Sequence, residues 1–139
     1  MKKLLSLTLA LLMVVCCFAA CNQANTDDPW NDAVYKENKE FGEGAKTISF
    51  EVIVDDHKVT FTIHTDAKLL SEALLEHSLI EGDAGDYGLY VKKVNGILAD
   101  YDLNKAYWGL SIGGEYAMTG VDGTEISDGG KYEMTYTKG

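Results

Sequence analysis

The chain has 139 residues, 46% of them hydrophobic, and carries 12 basic against 22 acidic side chains for a formal net charge of −10. A surface this acidic repels phosphate backbones and anionic headgroups, which excludes nucleic acid as the natural partner. Its cysteines, Cys16, Cys17 and Cys21, all fall near the N-terminus, so the rest of the chain has no thiol for a disulfide, a zinc site or a cysteine nucleophile.

The first element is a leader. Lys2 and Lys3 precede an apolar run from Leu4 to Ala20 that ends in Phe18-Ala19-Ala20-Cys21. Charge, apolar core and small residues in that order form a secretory signal peptide. About twenty apolar residues could also span a bilayer, but no basic stop-transfer residues follow; the next stretch is Asn22-Gln23-Ala24-Asn25-Thr26-Asp27-Asp28. Two small residues before a cysteine resemble the lipobox of bacterial lipoproteins, in which that cysteine takes diacylglycerol. The expectation is therefore a signal peptide over 1–20, a lipid on Cys21, and anchoring at the extracytoplasmic face of the cell membrane. Residues 21–45 are polar, with Trp30, Val34, Tyr35 and Phe41 scattered among Asn, Asp, Glu and Lys. Too little apolar surface is available there to offset ordering entropy. They read as a flexible acidic tether with solvated aromatics at Trp30 and Tyr35, ending near Gly42 and Gly44.

From 46 to 139 the pattern is that of one compact domain. Ile48, Phe50, Val52 and Val54 alternate with Ser49, Glu51 and Ile53; Val59, Phe61 and Ile63 alternate with Thr60, Thr62 and His64. Two period-two runs around Asp55-Asp56-His57-Lys58 predict a β-hairpin. Thr65 and Asp66 are N-cap residues, and 67–79 lack Gly and Pro while placing Leu69, Leu70, Ala73, Leu74 and His77 on one helical face, widened by Leu75 and Leu79. Gly82 and Gly85 are expected to stop that helix. Strands follow over 87–94 and 97–100, joined by Asn95-Gly96, a strong hairpin-turn signal. Further strands are expected over 106–112 and 115–118, joined by Gly113-Gly114, and over 131–136 after a loop. One early helix among hairpin-connected strands gives an α+β class.

The helix residues Leu69-Leu70-Ser71-Glu72-Ala73-Leu74, the stretch Tyr90-Val91-Lys92-Lys93-Val94-Asn95-Gly96, the stretch Tyr107-Trp108-Gly109-Leu110-Ser111-Ile112-Gly113-Gly114-Glu115-Tyr116, Gly120-Val121-Asp122 and the closing Asp128-Gly129-Gly130-Lys131-Tyr132-Glu133 together resemble the bacterial transcobalamin-like C-terminal domain family, a group of lipoproteins built on a domain of unknown function. The resemblance covers nearly all of 46–139. It implies a small β-rich domain, with an antiparallel or mixed sheet and one packed helix in a β-grasp-like arrangement. It also implies a binding role, because the related animal domain covers one face of cobalamin; a corrinoid is the ligand it suggests.

Three sets of candidate residues follow. Tyr107, Trp108, Gly113, Gly114, Glu115 and Tyr116 surround one strand and its turn. Trp108, Leu110 and Ile112 read as core, and Tyr107 and Tyr116 as an outward platform for a flat or sugar-like ligand. Asp100, Asp102 and Asn104 begin like a calcium loop, but Lys105 stands where such a loop needs glycine and Ser111 where it needs a bidentate Glu; Glu81, Asp83 and Asp86 form a second acidic group. Among the histidines, His57 is placed in the hairpin turn, His64 on an outward strand face and His77 on the helix as a hydrogen-bonded core residue; none has the spacing of a metal pair. Phosphate-binding glycine loops and nicotinamide fingerprints are missing. The expectation is a non-enzymatic binding module for a small molecule, or one serving a membrane transporter. A surface protein-interaction or adhesion module and a weak divalent-cation binder remain as alternatives.

Overall fold

The computed structural model describes residues 28–139. The expected signal peptide, lipobox and lipid-bearing Cys21 lie outside the described residues. The chain divides into two compact units, Met1–Asn31 and Asp32–Gly139. Of the first, residues 28–31 are described: Asn31 donates its N–H to the Asp28 carbonyl at the start of a 3₁₀ turn, Pro29–Asp32, and Trp30 is buried.

The second unit is an α+β domain. Strand β1 (Lys39–Phe41) is followed by the hairpin β2 (Lys46–Val54) and β3 (His57–Thr65). Burial alternates along both hairpin strands, with Phe50, Val52, Val54, Val59, Phe61 and Ile63 fully inside. The turn is tighter than the sequence predicts. Asp55 takes a left-handed φ of 52° and Val54 pairs directly with His57, so His57 and Lys58 begin β3.

The helix is shorter than its apolar stripe. Helix α1 runs Leu70–Leu75 rather than 67–79, and Leu75 faces solvent. Its start is held from elsewhere in the chain: Leu70 donates to the Thr124 carbonyl, Ile126 donates to the Lys68 carbonyl, and Leu69 bridges Glu125. Those pairings keep 68–69 extended and displace the cap from Thr65 and Asp66. At the other end Ser78, at φ 55°, turns the chain out of the helical region. The glycines expected to stop the helix lie instead in β4 (Ile80–Gly85). Gly82 sits at a bulge where a Cβ would fall 1.9 Å from the Tyr90 carbonyl oxygen, so glycine is what the close approach permits.

β4 pairs with β5 (Gly88–Val94), which pairs with β6 (Ile97–Leu98) across Asn95-Gly96, at φ 52° and 81° as the turn type requires. A one-turn helix, α2 (Tyr101–Asn104), leads into β7 (Ala106–Ile112), β8 (Glu115–Tyr116) and, after a loop, β9 (Lys131–Lys138). The main sheet has the order β1-β3-β2-β9-β7-β8, and β4-β5-β6 form a smaller one. β9 enters parallel to β2 and antiparallel to β7. The mixed sheet with a helix on one side follows the expected β-grasp-like arrangement.

The core lies on one face of the main sheet. Ile48, Phe50, Phe61, Ile63, Met134 and Trp108 are buried, as are Leu70, Leu74, Leu79, Ile80, Val94 and Ile97 from α1, the segment after it and the small sheet. The opposite face presents Ser49, Glu51, Thr60, Thr62, Glu133 and Thr135, all partly exposed.

Residues 32–45, placed in a tether by their polarity, are built into this domain. β1 pairs in parallel with β3. Tyr35 packs edge-on to Phe41 and Phe61, at 5.4 and 5.7 Å between ring centroids. The Tyr35 N–H donates to Asn95 Oδ1 at 2.9 Å, and Asn95 Nδ2 donates to the Tyr35 carbonyl at 2.8 Å. The domain boundary therefore falls near Asp32 rather than Lys46, and Tyr35 is not a solvated linker aromatic.

Candidate functional site

The site follows from how β7 is paired. Gly113 donates to the Lys131 carbonyl and Gly139 to the Lys105 carbonyl, so the odd-numbered residues of β7 bond to β9 and the even-numbered ones point to the other edge. On that edge β8 covers only Ser111 and Ile112, and the last rung is Ala117 N–H to the Leu110 carbonyl. Beyond it no strand pairs with that edge of β7 among the described residues, and side chains of both sheet faces reach around the edge. Trp108 and Leu110 arrive from the core face; Tyr107 and Tyr116 arrive from the open face.

A cleft of about 400 Å³ occupies this gap. β7 contributes Tyr107, Trp108 and Leu110 to its lining, β9 contributes Met134, and the segment after the hairpin contributes Tyr116, Ala117 and Thr119 to Val121. β5 supplies Leu89, Tyr90 and Val91, and α2 supplies Tyr101. Four tyrosines thus surround one opening. The Tyr116 ring lies over Gly109, its Cε2 3.5 Å from where a Gly109 side chain would begin, an ordinary contact distance. The Trp108 indole is fixed by donating to the Ile97 carbonyl at 3.2 Å and meets Tyr136 edge-on at 5.5 Å. Burial raises the pKa of the Tyr136 phenol, with a smaller contribution from the charge of Asp55.

None of the lining residues is charged. The charges stand outside and are committed. Asp122 accepts the Leu89 N–H at 2.7 Å. Lys92 donates to Asp83 at 2.7 Å and faces Asp100 at 3.5 Å; the Asp83 hydrogen bond, with help from Asp100, raises its pKa above the ordinary lysine value against the opposing effect of desolvation. The Lys105 ammonium lies 5.1 Å from the centre of the Tyr101 ring.

Of the predicted ligand residues, Tyr107, Trp108 and Tyr116 line the cleft, and Gly113, Gly114 and Glu115 do not. Gly113 and Gly114, at φ 60° and 89°, serve the hairpin turn beyond it. Ile112, read as core, is exposed. Tyr90, Tyr101 and Thr119 to Val121 come from elements whose approach to β7 has no local signal.

Asp100, Asp102 and Asn104 form a capped helical turn rather than an open loop. Asp100 Oδ1 accepts from the Asp102 N–H, and Asn104 Oδ1 accepts from the Asp100 N–H while its Nδ2 donates to the Leu98 carbonyl. Glu81 and Asp83 pair with Lys93 and Lys92. Among the described residues no three His, Cys, Asp or Glu side chains gather to hold a metal ion.

His64 Nε2 lies 2.6 Å from Glu40 Oε1, and its Nδ1 lies 3.0 Å from Thr47 Oγ1. His77 lies after α1, stacked on Phe41 at 5.2 Å, and its buried Nε2 has no hydrogen-bond partner, contrary to the satisfied core histidine expected. Gly109-Leu110-Ser111-Ile112-Gly113 spells the Gly-x-Ser-x-Gly pattern of hydrolases. Here it runs along a strand into a hairpin, where the nucleophile elbow needs a strand-to-helix turn, and no histidine hydrogen-bonds Ser111 among the described residues.

Comparison with known proteins places this geometry in a family. The model of the domain of unknown function DUF4430 matches residues 66–138. A crystal structure of a candidate metal-binding protein from Ruminococcus gnavus ATCC 29149 is 38% identical with a TM-score of 0.64, the match covering 68% of this chain and 99% of that one. Haptocorrin in complex with Cbi matches with a TM-score of 0.52 at 20% identity, over 70% of this chain and 26% of haptocorrin, which is a likeness of fold. A comparison with curated proteins gave no match.

Proposed function

This chain belongs to the DUF4430 domain family, and for it we propose a binding role: a lipid-tethered, non-enzymatic module whose tyrosine cleft captures an uncharged ligand at the extracytoplasmic face of the membrane. The carrying observation is the cleft's composition. In a chain with a net charge of −10, four tyrosines, a tryptophan and aliphatic side chains line it without one charged group. Such a surface desolvates an uncharged ligand cheaply and rejects phosphates and bare cations, which would be left unpaired. Tyrosine rings add apolar contact area with a hydroxyl at the rim.

A corrinoid is the first ligand to try, on the fold likeness to haptocorrin, a protein crystallised with Cbi. A cleft of about 400 Å³ would grip one edge of so large a molecule rather than enclose it. The metal-binding description of the Ruminococcus protein receives less support, since the described residues gather no donor set. The tether is proposed on the leader: diacylglycerol on Cys21 keeps the domain at the surface and raises the local concentration of what it holds, for itself or for a transporter.

Titration of the full chain with cyanocobalamin, followed by thermal shift, tests the ligand. Saturable binding weakened about tenfold by Tyr107→Ala supports the cleft, because a buried tyrosine ring contributes about 1.5–3 kcal/mol. No binding at millimolar concentration refutes the corrinoid. Radiolabelled palmitate incorporated by the wild type and lost in Cys21→Ala supports the anchor; equal labelling of both refutes it.

A further inference from the structure

The cleft holds a backbone edge as well as rings. The pairing described above directs the N–H and C=O of Trp108, and the N–H of Leu110, to the side of β7 away from β9. The Leu110 carbonyl is taken by Ala117, and the ladder stops there. No strand pairs with these three groups among the described residues, and Trp108 and Leu110 both line the cleft. Unpaired groups along a strand edge are a template for pairing with another chain. An unpaired set of alternating donor and acceptor at the floor of an uncharged cleft therefore marks a place for a complementary amide chain.

We infer that this edge accepts an extended peptide by strand addition: its backbone completes the ladder at Trp108 and Leu110, and its alternate side chains enter the tyrosine cleft. This rests on the reading of the cleft as the binding site, and it names the class of ligand. An added strand rises about 3.3 Å per residue, so two or three peptide residues satisfy the open groups. Those residues are uncharged, because nothing charged lines the cleft. Residues flanking them are basic, because the surrounding chain is strongly acidic. Neighbouring strand edges are closed by other means. Asp122 takes the Leu89 N–H of β5, and β1 ends the main sheet as a strand of three residues.

The experiment pans random heptapeptides displayed on phage against the full chain. Enriched peptides are resynthesised, each with a copy N-methylated at alternate residues, and amide hydrogen exchange of Trp108 and Leu110 is followed on binding. The expected result is enrichment of peptides with an uncharged alternating centre. They slow exchange at Trp108 and Leu110, and their N-methylated copies bind about tenfold or more weakly, since ladder hydrogen bonds are lost while side chains stay. Failure of any peptide to enrich, or enriched peptides that leave both amides unprotected, overturns the strand addition. Protection of the same amides by cyanocobalamin but by no peptide assigns the edge to a corrinoid, and so overturns the inference while leaving the cleft as the binding site.

Discussion

Asn95 joins the N-terminal segment to the domain, and its substitution tests whether that docking contributes to stability. Its side chain is buried, holds both the N–H and the C=O of Tyr35, and sits at a left-handed φ of 52°. Asn95→Gly removes the two side-chain hydrogen bonds and keeps the backbone at ease. At about 1 kcal/mol net for each bond, the loss is about 2 kcal/mol. Asn95→Ala removes the same bonds and keeps a Cβ in the left-handed region without the polar side chain that lets asparagine adopt it, adding about 1 kcal/mol, for about 3 kcal/mol in all. Backbone bonds from Val34 to the Asn95 carbonyl and from Asn95 to the Leu79 carbonyl are common to all three proteins and cancel. Urea unfolding of the wild type and both variants measures the differences from the midpoints, with unchanged slopes confirming a common unfolded state. A glycine variant as stable as the wild type would refute the claim that docking of Tyr35 stabilises the domain. Equal losses for glycine and alanine would refute the backbone part of the reasoning.

Other substitutions separate the cleft from the frame. Tyr116→Ala should change stability by less than about 0.5 kcal/mol, because the ring is 69% exposed, while weakening any ligand of the cleft; thermal melts and titration read the two effects. Gly113→Ala and Gly114→Ala should each cost about 1 kcal/mol in urea unfolding through their positive φ and leave cleft binding unchanged, since both lie away from its lining. Trp108→Phe should cost about 1–2 kcal/mol by leaving the Ile97 carbonyl without its indole donor, measured the same way. Lys92 has a raised pKa in the folded domain, so its favourable contribution is complete below the ordinary lysine value of 10.5 and fades as pH rises through the folded value. Lys92→Gln should therefore flatten the alkaline end of the stability profile, and an unchanged alkaline limb would count against the Asp83 contact.

What the sequence made legible was local. Alternation over 48–54 and 59–63 and the two glycine turns placed the strands of three hairpins to within about two residues, because each signal lies within a few positions of the element it sets. β1 was hidden: Lys39-Glu40-Phe41 offers one apolar residue, and its partner β3 lies about twenty positions away. The helix was overestimated because its apolar stripe runs past both ends, while the contacts that fix its start come from Thr124 and Ile126, some fifty positions later. Tyr107, Trp108 and Tyr116 could be chosen as ligand residues since they flank one turn. Tyr90 and Tyr101 could not, because they face β7 only after the small sheet has folded over the large one. The calcium-like spelling at 100–104 failed for a local reason: Asp100 and Asn104 bond to each other's segment and leave the loop closed.

The place of β9 bears on when such a domain can complete its fold. This strand is the last element of the chain, yet it lies in the middle of the main sheet, between β2 and β7. The two halves of the sheet have no direct ladder without it. A chain emerging N-terminus first cannot close its core until residues 131–138 have arrived, and the pairing of β2 with β9 must then span some eighty positions. Contacts that distant form slowly. Under the proposed export route, the delay would keep the polypeptide threadable during translocation, so that folding is completed after the lipid has been attached rather than before.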